Sequence, residues 1–307
     1  MQEDQNLEPK KTTSKGKYLQ KKGTKKDQIL FWVIVCALVA IIITCLVIIV
    51  SKYWTDGVEE NKNENLRDSK VANTTGVRPS KYTYSTNTSP TAPTSPTSPT
   101  QDAPVEEPSE PLDVPEGMIK EYQLMYTLNN DMIGWIEIPG TSIDYPVVQS
   151  PYQSNFYLRR NFYKEKATCG TIYVREKCDV SKPSDNVTIY GHNMSNGTMF
   201  ADLHEYEKKS FWQDNKLIYF DTLFEYHTYE IFAVFISSAD MTKGFSFHTF
   251  DDAANEAEFN QFVQTCKGKS LYDTGITPKY GEKLITLATC DKSIEDGRFV
   301  VVARRIM

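Results

Sequence analysis

A chain of 307 residues with a formal net charge of −6 has room for one or two domains, and its acidity excludes a uniformly basic nucleic-acid binder. The charge is uneven: residues 1–28 hold eight lysines, all from Lys10 to Lys26, against Glu3, Asp4, Glu8 and Asp27. That tail carries about +4 and leaves about −10 for the rest.

Residues 29–50, ILFWVIVCALVAIIITCLVIIV, contain no charge and match the roughly 20 residues a helix needs to cross a bilayer. The run is too long for a signal-peptide core, and SKYW after it offers no small-residue cleavage pattern. It reads as an uncleaved anchor. The lysines precede it and an acidic stretch follows, so the positive-inside rule places the tail in the cytoplasm and the rest outside. The expected lipid partner is thus a bilayer crossed once.

Residues 51–111 are expected to form a disordered stalk. Its later part, NTSPTAPTSPTSPTQDAPVEEPSEP, is Pro, Thr, Ser and acid, which cannot build a core and stays extended. Residues 112–307 have the size of one domain. Met118, Tyr122 and Met125 recur at helical spacing and predict a helix from about Pro115 to Asn129. Strand signals follow in IGWIEI, DYPVV, GTIYVR, NVTIYGH, KLIYFD, YEIFAVFIS, KLITLATC and RFVVVARRI. One helix interrupts them, with Asp251 or Asp252 as its cap and Phe259, Phe262, Val263 and Cys266 on its apolar face. Many short strands in one domain predict a mainly β fold, a closed barrel or a sandwich.

Four of the six cysteines fall outside the apolar run: Cys169, Cys178, Cys266 and Cys290. No C-x-x-C occurs, so a zinc site or redox dithiol has no support, and neither a metal nor a cofactor is expected. Cys169 and Cys178 are close enough in sequence to pair, which spacing alone leaves open. Cys266 belongs to a helix core face. Cys290 ends a strand, and a strand-end thiol is a nucleophile only where a base or cation stands near. His192 also ends a strand, in NVTIYGHNM; if the two strands are parallel neighbours, both side chains emerge at one rim. His204, His227 and His248 lack such framing and read as surface or satisfied core groups. Arg298 opens the strand after Cys290, and the short return loop sets it beside the thiol, whereas Arg304 lies about 20 Å further along. Arg298 is the candidate cation for a developing oxyanion.

These residues resemble the sortases, and class B most closely. TLATC at Thr286–Cys290 is similar to the TLxTC signature; YGHNM with SNGTMF resembles the class B histidine segment; RFVVVARRI resembles the strand bearing the family's arginine. IGWIEIPGTSIDYPVVQ and NFYLRRNF resemble its first strands. The resemblance covers nearly all of residues 112–307. It implies a closed eight-stranded sortase barrel with an N-terminal helix and a helix before the cysteine strand. It implies a membrane-anchored cell-wall transpeptidase of the Gram-positive kind. In that reading Cys290 attacks the Thr carbonyl of an LPxTG- or NPxTN-like motif on a secreted protein, and a peptidoglycan precursor or cross-bridge amine resolves the thioacyl enzyme. His192 would shuttle the proton, Arg298 would hold the oxyanion, and Tyr190 and Leu158 would line the substrate groove. Ala288 departs from the pattern, since class B enzymes often carry Ser there.

Three alternatives keep some of these features. A pilin-polymerising sortase would use a lysine amine, but no aromatic-acidic lid is visible in EPSEPLDVPEGM. A papain-like protease would place Cys before His, and a caspase-like one needs another Cys signature. A stalked binding domain without activity would bury Cys290.

Overall fold

The computed structural model describes residues 25–73, 113–150, 152–240 and 242–307. They fall into two units, one ending at Trp54 and the other covering Thr55 to Met307. In the first, the apolar run lies in helix α1 (Lys25–Asn73) with its side chains almost entirely exposed, and the helix is long and apolar enough to cross a membrane.

The helix does not stop where the apolar run does. It continues to Asn73, so residues 51–73 are not the extended stalk expected from the sequence; residues 74–112 lie outside the described residues. Within the second unit, Leu66 is 1% exposed among Met118, Tyr122, Trp135 and Tyr157. Arg67 donates from Nε to the Asp144 carbonyl at 2.9 Å and stacks on the Tyr145 ring. Lys70 pairs with Glu137 and Asp144, each at 3.1 Å, and Asn161 donates to Glu59 at 2.9 Å. The segment hid from the sequence reading because it docks mainly through charge and cation–π contacts, with one apolar anchor. Leu66→Ala is expected to weaken this docking by about 2–3 kcal/mol. Amide exchange should then accelerate in residues 58–73 and stay unchanged in the barrel strands.

Eight strands follow: β1 (Met132–Glu137), β2 (Asp144–Val148), β3 (Ile172–Val174), β4 (Asn186–Tyr190), β5 (Leu217–Thr222), β6 (Thr228–Ser238), β7 (Leu284–Cys290) and β8 (Gly297–Arg305). They close in the order β1-β2-β3-β4-β7-β8-β6-β5, with β1 also pairing β5. All eight strand signals in the sequence become barrel strands, and closure leaves no sheet edge open. Helix α2 (Lys120–Leu128) starts five residues later than expected from Pro115, because Gly117 takes a left-handed φ of 81° and turns the chain first. Helix α3 (Lys209–Asp214) is a short addition.

Helix α4 (Glu256–Lys269) has Asn255 as its cap, whose side chain accepts from the Glu258 amide at 3.1 Å. The expected caps are used elsewhere: Asp251 binds Arg175, and Asp252 accepts from the Asp185 amide at 2.9 Å. Phe259, Phe262, Val263 and Cys266 are buried, as their spacing predicts. The period of two explains why β7 and β8 are apolar on both faces. Ile285, Leu287, Phe299 and Val301 fill the barrel, while Leu284, Ala288, Val300 and Val302 face the layer under α4. Cys290 shares the second face.

Candidate active site

Strands β4 and β7 run parallel, with Tyr190 opposite Ala288, so the chain leaves both at one rim. The Gly191 amide extends the pairing to the Ala288 carbonyl at 3.2 Å. A Cβ on Gly191 would come within 2.6 Å of the Phe200 ring and 2.5 Å of Ile172, so this bend admits only glycine without repacking. Beneath the rim, Thr286 donates to Asn186 at 2.8 Å and Asn186 donates to the Phe250 carbonyl at 2.9 Å, tying β4, β7 and the approach to α4 together. Strands β7 and β8 are antiparallel with Cys290 directly opposite Arg298. Parallel pairing thus brings the histidine to the cysteine, and antiparallel pairing brings the arginine.

His192, Cys290, Arg298, Tyr190 and Leu158 all line one groove of about 300 Å³, at the small end of the range for ligand pockets. Cys290 is exposed. His192 is half-buried, and its Nε2 lies 2.7 Å from the Leu158 carbonyl. A carbonyl only accepts, so Nε2 holds a proton and the ring is oriented through that bond. Leu158 therefore contributes its backbone to the histidine besides presenting its side chain. Arg298 donates from Nη1 to the Gly297 carbonyl at 2.8 Å and has no carboxylate partner among the described residues. Its other guanidinium donors remain available to a ligand.

The groove holds groups that the strand-end pattern missed. Phe247 and His248 come from the β6–α4 connection, Asn155 from the turn before residue 156, and Arg175 from the end of β3. Arg175 is neutralised by Asp251, with contacts of 2.5 and 2.8 Å. Burial, then the charges of Arg175 and Arg298, push the His248 ring below its ordinary pKa, so it is neutral at pH 7. Burial pushes the Tyr190 hydroxyl up to about 12, with Arg175 acting against it. Ala288 is 1% exposed in the groove floor. The Thr289 hydroxyl is buried, with no hydrogen-bond partner among the described residues.

His204 also has a place that its local sequence does not announce. Its Nε2 lies 3.2 Å from the Cys290 carbonyl, which also accepts from Asn193 at 3.1 Å. Its Nδ1 faces Glu207 at 3.2 Å and Asp291 at 3.8 Å. These three residues bring one ligand atom each within 4.8 Å, close enough to hold a cation, and the ring hydrogen bond to Glu207 already links two of them. The group is assembled from two distant segments, which is why spacing along the chain does not reveal it.

The three other thiols of the second unit differ from Cys290 in burial. Cys169, Cys178 and Cys266 are buried and unbridged, so the pairing that spacing left open is not formed. Burial pushes Cys169 up to about 11 and Cys178 up to about 12, and raises Cys266 as well. Iodoacetamide at pH 7.5 is therefore expected to modify Cys290 at least about 100-fold faster than these three. Peptide mapping after a short pulse reads this directly. Equal labelling of Cys178 would contradict the burial.

A family model for the sortase domain matches residues 136–306. The chain is similar to sortase B of Listeria monocytogenes, 32% identical over 188 residues that make up 61% of this chain and 74% of the relative. It is 29% identical to sortase B of Staphylococcus aureus, over 61% of this chain and 75% of that protein. Among solved structures, the Clostridium perfringens sortase B matches with a TM-score of 0.55 at 32% identity, covering 60% of this chain and 98% of that one. A Staphylococcus aureus sortase B–substrate complex matches with a TM-score of 0.56 at 27% identity, covering 62% of this chain and 87% of that one.

Proposed function

The chain belongs to the sortase family as a class B member, a cysteine transpeptidase, and from that premise we propose the following reaction for it. A secreted protein lays an LPxTG- or NPxTN-like motif in the groove. The Cys290 thiolate attacks the carbonyl carbon of the motif's Thr, and the oxygen takes up negative charge beside Arg298. The intermediate collapses, the C–N bond to the following residue breaks, and the departing amine takes a proton from His192. A thioester to Cys290 remains. A peptidoglycan amine attacks it, gives a proton back to His192, and releases the thiolate. With Nε2 held by the Leu158 carbonyl, Nδ1 is the nitrogen that exchanges the proton. Tyr190 and Leu158 flank the motif.

The observation that carries this reading is the shared rim. An exposed thiol, an oriented imidazole and a guanidinium with no carboxylate partner among the described residues line one groove, whose rim the pairing of β4, β7 and β8 brings together. The substrate complex of the Staphylococcus aureus relative supports a sorting-motif ligand for the same fold. Helix α1 would anchor the enzyme, with its lysine-rich tail inside the cell and the barrel outside.

The test is intact mass of the detergent-solubilised full chain mixed with a panel of sorting-motif peptides. The expected result is a gain equal to the acyl fragment on Cys290, discharged by hydroxylamine and by an amine acceptor. An unmodified enzyme across the panel, with Cys290 still rapidly alkylated, would overturn the proposed motif class.

A further inference from the structure

Arg159 and Arg160 stand in the NFYLRRNF segment, yet neither belongs to the catalytic groove. The 3-10 turn Phe156–Arg159 divides that groove from a second hollow of about 470 Å³, which shares only Asn155 with it. The hollow is lined by the cations Arg159, Arg160 and Lys166, with Gln153 and Thr168 beside them and no acidic side chain among the described residues.

The placement of these charges is unfavourable without a counter-ion. Arg160 and Lys166 form an antiparallel bridge, so like charges sit directly across from one another. The Ala167 amide donates to the Arg159 carbonyl at 3.1 Å, which keeps the third cation in the same short ribbon. The Arg160 guanidinium is held in place: Nη1 donates to the Lys164 carbonyl at 3.1 Å and the group stacks on the Phe156 ring. Three neighbouring carboxylates are engaged elsewhere. Glu165 is taken by Lys62 and Asn161, Glu59 by the same pair, and Asp131 by Lys164. Arg159 and Lys166 have no ion-pair partner among the described residues. Two guanidinium forks and an ammonium around an open hollow match a phosphate, which accepts several charge-assisted hydrogen bonds at once.

The source of the phosphate follows from the chain. Thr55 lines the hollow, and it is five residues past Val50, the last residue of the apolar run. Five residues span at most about 18 Å, so the hollow stays within reach of a bilayer that holds the run. We propose that this hollow is a binding site for the phosphate of an anionic phospholipid headgroup, seating the catalytic unit against the membrane surface. The proposal rests on the reading of α1 as an anchor.

The experiment uses the full chain in nanodiscs of phosphatidylcholine alone or with added phosphatidylglycerol, followed by amide hydrogen exchange. Phosphatidylglycerol is expected to slow exchange in residues 153–168 about fivefold. The combined variant Arg159→Gln, Arg160→Gln, Lys166→Gln should lose this slowing while keeping its thermal midpoint and its peptide transpeptidation. Slowing that persists in the variant, or none in the parent, would overturn the site. Equal slowing by inorganic phosphate in phosphatidylcholine discs would overturn the lipid as its source. A chain that fails to enter discs would overturn the anchor reading and the proposal together, whereas entry without protection overturns the hollow alone.

Discussion

Cys290→Ala is expected to lower sorting-peptide transpeptidation by at least about 10⁴-fold and to shift the thermal midpoint by less than about 2 °C. The two halves of this expectation have separate causes. The thiol is exposed at the end of β7, so its removal opens no cavity in the core. The backbone around it is held independently of the sulfur, by the Asn193 and His204 contacts to the Cys290 carbonyl and by the pairing with Arg298. All that is lost is the atom proposed to form the thioester. Cys290→Ser tests the chemistry further. A hydroxyl in the same place is far less ionised than a thiol, and among the described residues no carboxylate is hydrogen-bonded to His192, so activity should stay below about 1% of the parent. Substantial activity in either variant would remove Cys290 from the mechanism.

How much of this was legible in the chain depends on whether the information is local. The strands were, because each is a short run rich in Val, Ile, Tyr and Phe bounded by turn residues. The face of α4 was too, since Phe259, Phe262, Val263 and Cys266 keep helical spacing. Its cap was misplaced by three or four residues because Asp251 and Asp252 look like caps locally. Both instead serve long-range contacts, to Arg175 and to Asp185, that only the closed barrel brings near. Helix 55–73 failed for a related reason. With Leu66 as its one deeply buried apolar residue, it carries almost no amphipathic signal, and the Arg67 and Lys70 contacts that dock it lie about seventy residues away.

The site divides along the same line. The placement of Cys290, His192 and Arg298 at one rim was readable because each sits at or next to a strand end, where a change from apolar run to polar loop marks the rim. Their meeting depended on β4 and β7 being parallel neighbours, which the strand order β4-β7-β8 supplies. His204 and His248 share no such mark. His204 reaches the Cys290 carbonyl from a segment 86 residues earlier, and His248 enters the groove from a loop. Residue type gave their chemistry but nothing in their neighbourhood gave their address. The polar pair Asn186 and Thr286 was equally silent, although it ties β4 to β7 directly below the rim.

Arg298→Ala is expected to lower kcat for transpeptidation by about 10²–10³-fold, the scale seen when one preorganised donor to a developing oxyanion is removed. Arg298 lies directly across from Cys290, on a strand whose register is fixed along its length by pairing to both β6 and β7. Its guanidinium is parked on the Gly297 carbonyl, with no carboxylate to neutralise it among the described residues. Such a charge has little to do for stability, so the variant should unfold within about 0.5 kcal/mol of the parent. The charge does matter electrostatically within the groove, since it contributes to the downward shift of His248. Arg298→Lys separates charge from geometry. It retains the positive charge but replaces the planar fork with a single point donor on a flexible stem, so it should recover about tenfold over the alanine variant and remain well below the parent. KM should change less than kcat in both variants, because the donor is asked to act on charge that exists only as the carbonyl is attacked. Steady-state kinetics with a sorting peptide and an amine acceptor measure both quantities. A pair of variants that raise KM and leave kcat intact would assign Arg298 to substrate binding and take the oxyanion away from it.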